Sequence, residues 1–284
     1  MPEQRYPSAN PSPLDFLKDF LRDIYRDILA AAMLLTRIPV KWPLKLHDGH
    51  VEGEGSDEAA PDTARSYWAF GLIGLGVSAI PAMLAAVLIG AGVPALAAAA
   101  VIMALIALLT GGMHQDGLAD VAASLGGRDP EHRLTIMRDS AIGSFGTIGL
   151  ITVSVMTLAS IADLASHSVE MMVGGVITAA TLSRAMMAIQ RVLNDPPTSQ
   201  GLAHLTGRPS AAVAAIATLT SLVIAIVFSG FGPAFLVLAV GAVITLALGR
   251  FLQAWVGGVN GDGLGATQQL SEAAMLITLT IMAG

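Results

Sequence analysis

The residues best suited to chemistry lie in a charged segment that interrupts an otherwise apolar chain. Asp116 and Asp120 are four residues apart, so a helix would place both carboxylates on one face. Two like charges at this spacing repel each other unless a cation lies between them. Mg²⁺ is commonly bound by one or two protein carboxylates together with phosphate oxygens of a substrate. The pair therefore predicts a metal-and-phosphate site, and the alternative is two ordinary surface aspartates.

The residues around this pair favour a function. Gly111, Gly112 and Gly117 would let a backbone approach a ligand closely. Ionisable groups within or beside a membrane usually mark a functional site. His114 could orient a phosphate or accept a proton, or it could be a structural hydrogen-bonding residue. We therefore count His114 with Asp116 and Asp120 as candidate catalytic residues.

More charged residues follow in the same segment. Asp129 and Pro130 predict the cap and first residue of a short helix that runs to about residue 140. Arginines on this helix could bind phosphoryl oxygens in a bidentate manner, or could serve only to set membrane orientation. The candidate phosphate-binding residues here are Arg128, Arg133, Arg138 and Ser140. Asp139 is a candidate catalytic residue and metal ligand, and Ser144 would lie at a helix N-terminus, where anions bind well.

Two later segments supply further candidates. Arg184 lies near the end of an apolar run and is a candidate phosphate-binding residue. A glycine-rich turn at 257–262 ends in Gly261, a candidate phosphate contact, and Asp262, a candidate metal ligand. Glycine turns between membrane spans are common. This turn is a candidate site only because it is predicted to lie on the same side of the membrane as Asp116.

The rest of the chain is too apolar for a soluble protein. Hydrophobic residues make up 54% of the 284 positions and charged residues 13%, against roughly 25% in a soluble domain. The net charge of -6 provides no basic surface for a nucleic acid, and the absence of cysteine excludes disulfides and thiolate metal sites. The long apolar blocks predict an all-α fold, a polytopic helical transmembrane bundle of about six to seven spans.

The predicted spans also predict an orientation. Six apolar runs cover 67–89, 93–112, 145–162, 171–189, 211–229 and 233–249, with 269–284 as a candidate seventh. The short connectors on one side contain no lysine or arginine. The N-terminal region and the loops 113–144, 190–210 and 250–268 carry nearly all the basic residues. The positive-inside bias therefore predicts that these loops face the cytoplasm. The predicted location of the protein is the inner (cytoplasmic) membrane.

The segment before the first span has a different character. Within 1–45, apolar residues recur at helical spacing from Leu14, with Ser12 as a predicted N-cap and Pro13 at the first helical position. The opposite face is charged, which predicts an amphipathic helix at the membrane interface, with a helix packed on a soluble subdomain as the alternative. Residues 46–66 form a predicted acidic loop, and 67–284 form the predicted catalytic transmembrane domain.

Several of these motifs occur together in a known family. They are Gly-Gly-x-His-x-Asp-Gly-Leu-Ala-Asp at 111–120, Ile-Met-Arg-Asp-Ser at 136–140, Ile-Gly-x-Phe-Gly at 142–146, Leu-Thr-Arg-Ile-Pro at 35–39, Ser-Arg at 183–184, and the glycine-rich residues of 257–266. In these motifs the chain resembles the cobalamin synthase family, and the likeness covers most of the chain after residue 30. Two features depart from the family pattern. Ala123 replaces a usual third aspartate, and Asn260 and Gly263 stand where threonines are usual.

The resemblance implies a Mg²⁺-dependent membrane transferase. In such an enzyme a ribose hydroxyl of α-ribazole, or of its 5′-phosphate, displaces GMP from adenosylcobinamide-GDP. Asp116 and Asp120 would hold the metal on the diphosphate, and Asp139 and Asp262 would complete the metal shell or activate the hydroxyl. The substrates and the lipid bilayer are the expected partners, and the oligomeric state is left open between a monomer and a homo-oligomer.

Other functions are compatible with some of these features. CDP-alcohol phosphotransferases and aspartate-rich prenyltransferases also use carboxylates, Mg²⁺ and a diphosphate substrate, but they require additional aspartates that this segment lacks. A corrinoid transporter would have charged residues near mid-span and an internal repeat. The sequence predicts neither feature.

Overall fold

The computed structural model describes residues 13–40, 45–47, 50–52, 62–199 and 201–284, most of which are helical. The helices are α1 (Pro13–Leu35), α2 (Thr63–Ser66), α3 (Phe70–Gly90), α4 (Ala95–Thr110), α5 (Met113–Ala123), α6 (Pro130–Met137), α7 (Gly143–His167), α8 (Val169–Leu193), α9 (Leu202–Leu205), α10 (Ala211–Ser229), α11 (Phe231–Val256) and α12 (Gly261–Ala283). Short 3-10 turns cover Tyr67–Ala69 and Ser124–Gly126. The strands β1 (Lys45–His47) and β2 (His50–Glu52) pair in antiparallel register.

The structure confirms a polytopic helical bundle. Among the described residues, five helical segments are long and apolar enough to cross a membrane, and six crossings result if α4 and α5 count as one broken span. The five are Thr63–Gly90, Gly143–His167, Val169–Leu193, Ala211–Ser229 and Phe231–Val256. The α8 helix is the central one, because 89% of its apolar window is buried, whereas the windows of α7, α10 and α11 are 22–28% buried. The less buried helices leave their apolar faces for lipid.

The predicted second span, 93–112, is only partly correct. The α4 helix has 16 residues and ends at Thr110, after which the chain turns by 92° into α5. Asp116 and Asp120 therefore lie on a helix that runs across the end of the bundle, within the segment predicted as a loop.

The candidate seventh span, 269–284, forms the later part of α12, which is not among the five candidate spans. Gln268, Gln269, Ser271 and Glu272 make this stretch too polar. Much of α12 is buried against other helices, so it is an internal helix of the bundle rather than one that faces lipid.

Charged residues do occur in the middle of helices, contrary to the sequence prediction. The α8 helix continues to Leu193, which places Arg184 in its body, and Glu272 lies near the middle of α12. These helices therefore have charges of the kind expected in a transporter, and only the site can distinguish the two functions.

The α1 helix begins at Pro13 as predicted, while the predicted cap Ser12 lies outside the described residues. Its first half exposes six large side chains, namely Leu14, Phe16, Leu17, Phe20, Leu21 and Tyr25. Its second half docks on the bundle, where Asp27 accepts hydrogen bonds from Arg65 Nε at 3.0 Å and from Trp68 Nε1 at 2.9 Å. The exposed apolar half is compatible with the predicted interfacial position. The described parts of 45–66 contain the β1–β2 pair and α2, which the prediction of an acidic loop over 46–66 did not include.

Candidate functional site

The bend between α4 and α5 depends on two consecutive glycines. Gly111 and Gly112 both adopt the left-handed conformation, with φ of 69° and 70°, which residues with a Cβ rarely tolerate in succession. The side chain of Arg37 lies across the bend, since a Cβ on Gly111 would come within 2.3 Å of Arg37 Nε. The Arg37 N–H also donates to Leu109 O at 2.7 Å. These contacts fix the direction of α5, and with it the position of Asp116.

A reciprocal glycine contact brings α5 against the start of α12. A Cβ on Gly117 would lie 2.7 Å from the carbonyl oxygen of Asp262 and 2.9 Å from its Cα. A Cβ on Gly265 would lie 3.2 Å from the Cα of His114. Backbone approaches backbone at both points, as in close helix pairs that use small residues at the interface. The contact joins the segment that carries Asp116 to the turn that carries Asp262.

The first turn of α12 is held by its own side chains and by a neighbouring loop. Asn260 caps the helix by accepting from the Gly263 N–H at 3.0 Å, and its amide donates to Asp262 Oδ2 at 2.7 Å. The Val259 N–H donates to Asp195 O at 2.9 Å, which ties this turn to the loop after α8. Asn260 can therefore fill the capping role that a threonine would have at this position.

These elements surround a cavity of about 500 Å³. Asp116 and Arg138 are exposed residues at its mouth, and Tyr67, Phe70 and His114 are buried residues of its interior. The cavity thus has a charged entrance and a largely apolar interior. Ligand pockets commonly combine a few placed polar groups with apolar walls in this way.

Three carboxylates lie near each other at the mouth. Asp116 and Asp262 both line the cavity, and Asp120 interacts electrostatically with each of them. Asp262 lies in the first turn of α12, outside the candidate spans, and burial raises its pKa to about 6; the hydrogen bond from Asn260 lowers this pKa and the charge of Asp116 raises it. The group carries negative charge that a cation would stabilise.

The described residues contain no ready-made cage for a metal, since no three histidine or acidic side chains among them are arranged to hold an ion together. A bound metal would therefore need ligands from outside the protein. Mg²⁺ fits this requirement, because it usually keeps one or two protein carboxylates and takes its other ligands from phosphate and water.

The three candidate arginines of the 113–144 segment occupy different positions. Arg138 caps the C-terminus of α6 and lines the cavity, while Arg128 is exposed in the turn before α6 and does not line it. Arg133 donates to Gly127 O at 3.2 Å and to Trp255 O at 3.0 Å, and its guanidinium lies 3.4 Å from the centre of the Trp255 ring. Arg133 therefore fastens α6 to the end of α11, and Arg138 is the one of these three arginines that lines the cavity.

Three other candidates lie apart from the cavity. Asp139, Ser140 and Ser144 are exposed between α6 and the start of α7, and none of them lines it. Asp139 Oδ1 accepts from the Ala141 N–H at 3.1 Å. The structure thus gathers Asp116, Asp262, Gly261, His114 and Arg138 around the cavity, with Asp120 beside them.

Arg184 is buried in the bundle, where no phosphate at the mouth could reach it directly. Its guanidinium donates to Ala180 O at 2.9 Å and interacts electrostatically with Glu272. Gln268 Nε2 donates both to Ser183 Oγ, at 3.0 Å, and to Glu272. Sequence reasoning missed Gln268 and Glu272, although two polar residues four apart in an apolar helix are a usable signal for a buried polar contact.

The structure shows why alanine, rather than the aspartate usual in the family pattern, fits at position 123. Ala123 is buried, and a Cβ on Gly146 of α7 would lie 3.4 Å from its Cβ and 2.9 Å from Ala119 O. The α5 helix therefore packs closely on α7 at this point, and the small alanine suits that contact. The carboxylates at the mouth are those of Asp116, Asp120 and Asp262.

A bundle of membrane-crossing helices with carboxylates and an arginine at the mouth of a cavity is compatible with the class of membrane enzymes that act on phosphate-bearing substrates. Comparison with known proteins makes the assignment specific. Residues 27–280 match the family model described as cobalamin-5-phosphate synthase, and the chain belongs to that family.

Curated relatives agree with this assignment. A protein of Sinorhizobium medicae is 37% identical over 259 residues, covering 87% of this chain and 93% of its own length. Proteins of Rhizobium johnstonii and Shewanella amazonensis are 33% and 34% identical, covering 88% and 89% of this chain and 94% of their own lengths. All three are named adenosylcobinamide-GDP ribazoletransferase. No solved structure matches the chain significantly.

Proposed function

We propose that this protein is a membrane transferase of late cobalamin biosynthesis. It joins adenosylcobinamide-GDP to α-ribazole or its 5′-phosphate and gives adenosylcobalamin or its 5′-phosphate, with GMP as the second product. The main observation in support is that Asp116 and Asp262 lie together at the mouth of the cavity. The family of the chain is established over residues 27–280. Two carboxylates that can hold a cation, beside an arginine that can pair with phosphoryl oxygens, suit the binding of a diphosphate donor.

The reaction is a substitution at phosphorus. A ribose hydroxyl oxygen forms a bond to the phosphorus that carries the cobinamide, and the bond from that phosphorus to the oxygen shared with GMP breaks. GMP leaves with the electron pair of this bond, and the hydroxyl proton is released to a base or to water. Positioning and charge stabilisation dominate catalysis of such transfers, and the groups at the cavity mouth are suited to provide both.

Mg²⁺ is the proposed cofactor, with Asp116 and Asp262 as the carboxylates that would hold it and Asp120 beside them. When bound, it would neutralise charge on the diphosphate oxygens and favour departure of GMP. The donor set fits this ion, because carboxylate oxygens are hard ligands and the three carboxylates carry uncompensated negative charge. Asp139, which lies apart from the three, is left out of the metal shell.

Two further residues have proposed roles in substrate binding. Arg138 lines the cavity and would pair with phosphoryl oxygens. His114 also lines the cavity, and its Nε2 has no hydrogen-bond partner although the residue is buried. A buried polar atom without a partner is destabilising, so a ribose hydroxyl bonded to this nitrogen would complete the site.

The test of the proposal is GMP release by the purified protein in detergent or liposomes. Adenosylcobinamide-GDP and Mg²⁺ are supplied with and without α-ribazole. We expect GMP release that requires α-ribazole. Corrinoid binding without GMP release would instead indicate a carrier.

The GMP release activity should fall as the pH is lowered, because Asp262 titrates in an experimentally accessible range. Its pKa of about 6 lies above the ordinary 3.8, so acidification from about pH 8 to about pH 5 protonates this ligand and should weaken Mg²⁺ activation. The raised pKa also means that, without metal, the contribution of Asp262 to folding stability is lost as the pH rises through about 6.

Two measurements check this. The first is the Mg²⁺ concentration for half-maximal GMP release at each pH, and the second is the thermal unfolding temperature with and without Mg²⁺. Asp262→Asn is the control, since it removes the titrating group while keeping the shape. A Mg²⁺ requirement that is the same at both pH values, or that changes equally in Asp262→Asn, would contradict a metal role for this residue.

We also propose that the cavity opens to the cytoplasm and that the membrane is the inner membrane. The short Ser168 and Gly230 connectors at the other end carry no basic residue. Cysteines introduced into the cysteine-free chain at Ser140, which is exposed, and at Gly232, where a side chain has open space, report on the two ends. An impermeant maleimide should label Gly232→Cys in intact spheroplasts and Ser140→Cys only after permeabilisation. Equal labelling of both would overturn the orientation.

A further inference from the structure

Four buried polar side chains lie between α8 and α12, and we call Ser183, Arg184, Gln268 and Glu272 the polar cluster. Arg184 and Glu272 carry opposite charges, are 1% and 7% exposed, and interact electrostatically. Gln268 lies between the two helices, because its Nε2 donates to Ser183 Oγ at 3.0 Å and also to Glu272. The polar cluster therefore joins α8 to α12 through a hydrogen bond and through opposite charges.

The polar cluster lies next to the cavity along both helices. On α12, Leu264, Gln268 and Glu272 follow one another at intervals of four residues, so they share one face of the helix. Leu264 lines the cavity, as does Met187, which is four residues after Ser183 on α8. The polar cluster is therefore about one helical turn deeper in the bundle than the cavity lining.

Stability alone does not explain why charged residues occupy this contact. Well-packed apolar side chains of similar volume often make a protein as stable as a buried pair of opposite charges does, or more stable. Elsewhere α8 and α12 do meet through apolar groups, since a Cβ on Gly175 would lie 3.5 Å from Leu279 Cδ1. Charged residues inside a membrane bundle usually serve a function.

A polar contact between two helices restrains sliding in a way that an apolar contact does not. Apolar burial has no preferred direction, whereas a hydrogen bond weakens when its atoms move out of line and a buried charge is destabilising without its partner. A slide of α12 by one residue would move Asp262 by about 1.5 Å. Because Asp116 lies on α5, this slide would change the separation of the two carboxylates at the cavity mouth.

We propose, on the basis of the function proposed above, that the polar cluster consists of positioning residues for the metal site. It holds α12 at one axial position on α8, so that Asp262 stays at the distance from Asp116 at which both carboxylates can hold a cation. No member of the polar cluster lines the cavity, so its effect on the reaction passes through the position of α12.

The first measurement uses a double variant that replaces both charges with apolar side chains, Arg184→Met together with Glu272→Leu. It should unfold at a higher temperature than Arg184→Met alone, in which Glu272 lacks its partner. The Mg²⁺ concentration for half-maximal GMP release should rise about two- to thirtyfold, the range for residues that act on a site through packed neighbours. A cluster that served stability alone would change the amount of active protein and leave this concentration unchanged.

The second measurement reports the position of α12 without using activity. Leu193 is the last residue of α8, Ile281 lies in the last turn of α12, and both side chains are exposed. Spin labels on cysteines introduced at these two positions give the distance between the helices by pulsed electron resonance. In the double variant the mean distance should shift, or its distribution widen, by about 1.5 Å, which is the rise of one helical residue.

The matched control is Thr178→Val together with Ser229→Ala. The hydroxyls of Thr178 and Ser229 are hydrogen-bonded at 2.6 Å between α8 and α10, and neither residue lines the cavity. This control should leave the Mg²⁺ requirement and the spin-label distance unchanged.

If the double variant does not fold, Ser183→Ala takes its place, because it removes one hydrogen-bond acceptor of Gln268 and should change both quantities in the same direction. An unchanged Mg²⁺ requirement, or an unchanged spin-label distance, would overturn the proposal. A wild-type protein that releases no GMP would instead contradict the proposed function itself.

Discussion

Replacing Asp116 with asparagine is expected to reduce GMP release about 10²- to 10³-fold, the range seen when one electrostatic group of an active site is removed. Asp116 lines the mouth of the cavity and interacts electrostatically with Asp120 and Asp262. Asparagine keeps the shape but loses the charge that attracts a divalent cation. The main effect should be a raised Mg²⁺ requirement together with a lower maximal rate.

The control for this prediction is Asp163→Asn. Asp163 is an exposed carboxylate near the opposite end of the bundle, in the last turns of α7, and its replacement should leave GMP release unchanged. Both variants should reach the membrane and unfold at temperatures close to that of the wild type. Substantial turnover by Asp116→Asn at ordinary Mg²⁺ concentration would contradict the metal role of this residue.

The second large effect is expected from a single methyl group at Gly117. A Cβ there would lie 2.7 Å from the Asp262 carbonyl oxygen, and the obstacle is backbone rather than a flexible side chain. Gly117→Ala must therefore push α5 away from α12. We expect a loss of stability of about 1–3 kcal/mol, as for other overpacked sites. GMP release should fall tenfold or more, since a displacement of about 1 Å can reduce the rate a hundredfold.

Gly76→Ala is the matched control, because Gly76 is also helical and a Cβ there would meet nothing within 4 Å. Alanine at such a position should be neutral or slightly stabilising. Thermal unfolding in detergent and the GMP release rate give the two readouts. If Gly117→Ala retained wild-type stability and rate, the close contact between α5 and α12 would not be needed to assemble the site.

The membrane-crossing helices were predictable because each leaves a local signal. A run of apolar residues as long as 145–162 or 211–229 has few alternatives to a span. The bend at Gly111 was harder to predict, because two consecutive glycines can end a helix in several ways and the new direction depends on Arg37 and on α12. The internal position of α12 was also hidden, since its polar residues pair with α8, a partner distant in the sequence.

The candidate site was predictable in its residue types and less so in its arrangement. Asp116, Asp120 and Asp262 were predicted from their charge, their spacing and the predicted side of the membrane. The roles of the arginines were not separable by sequence, because Arg133 on α6 and Arg138 at its C-terminal cap are only five residues apart, and only the position of Trp255 shows that Arg133 is used for packing. Tyr67 and Phe70 gave no signal, since aromatic residues at the start of an apolar run are usual.

Product stoichiometry is the most direct measure of the proposed transfer reaction. Purified protein is supplied with adenosylcobinamide-GDP, α-ribazole and Mg²⁺, and GMP and the corrinoid products are quantified by chromatography and mass spectrometry. We expect one GMP and one complete cobamide for each α-ribazole consumed. Release of GMP without α-ribazole, or a cobinamide phosphate together with a ribazole–GMP adduct, would show that a different bond is broken and would contradict the proposed reaction.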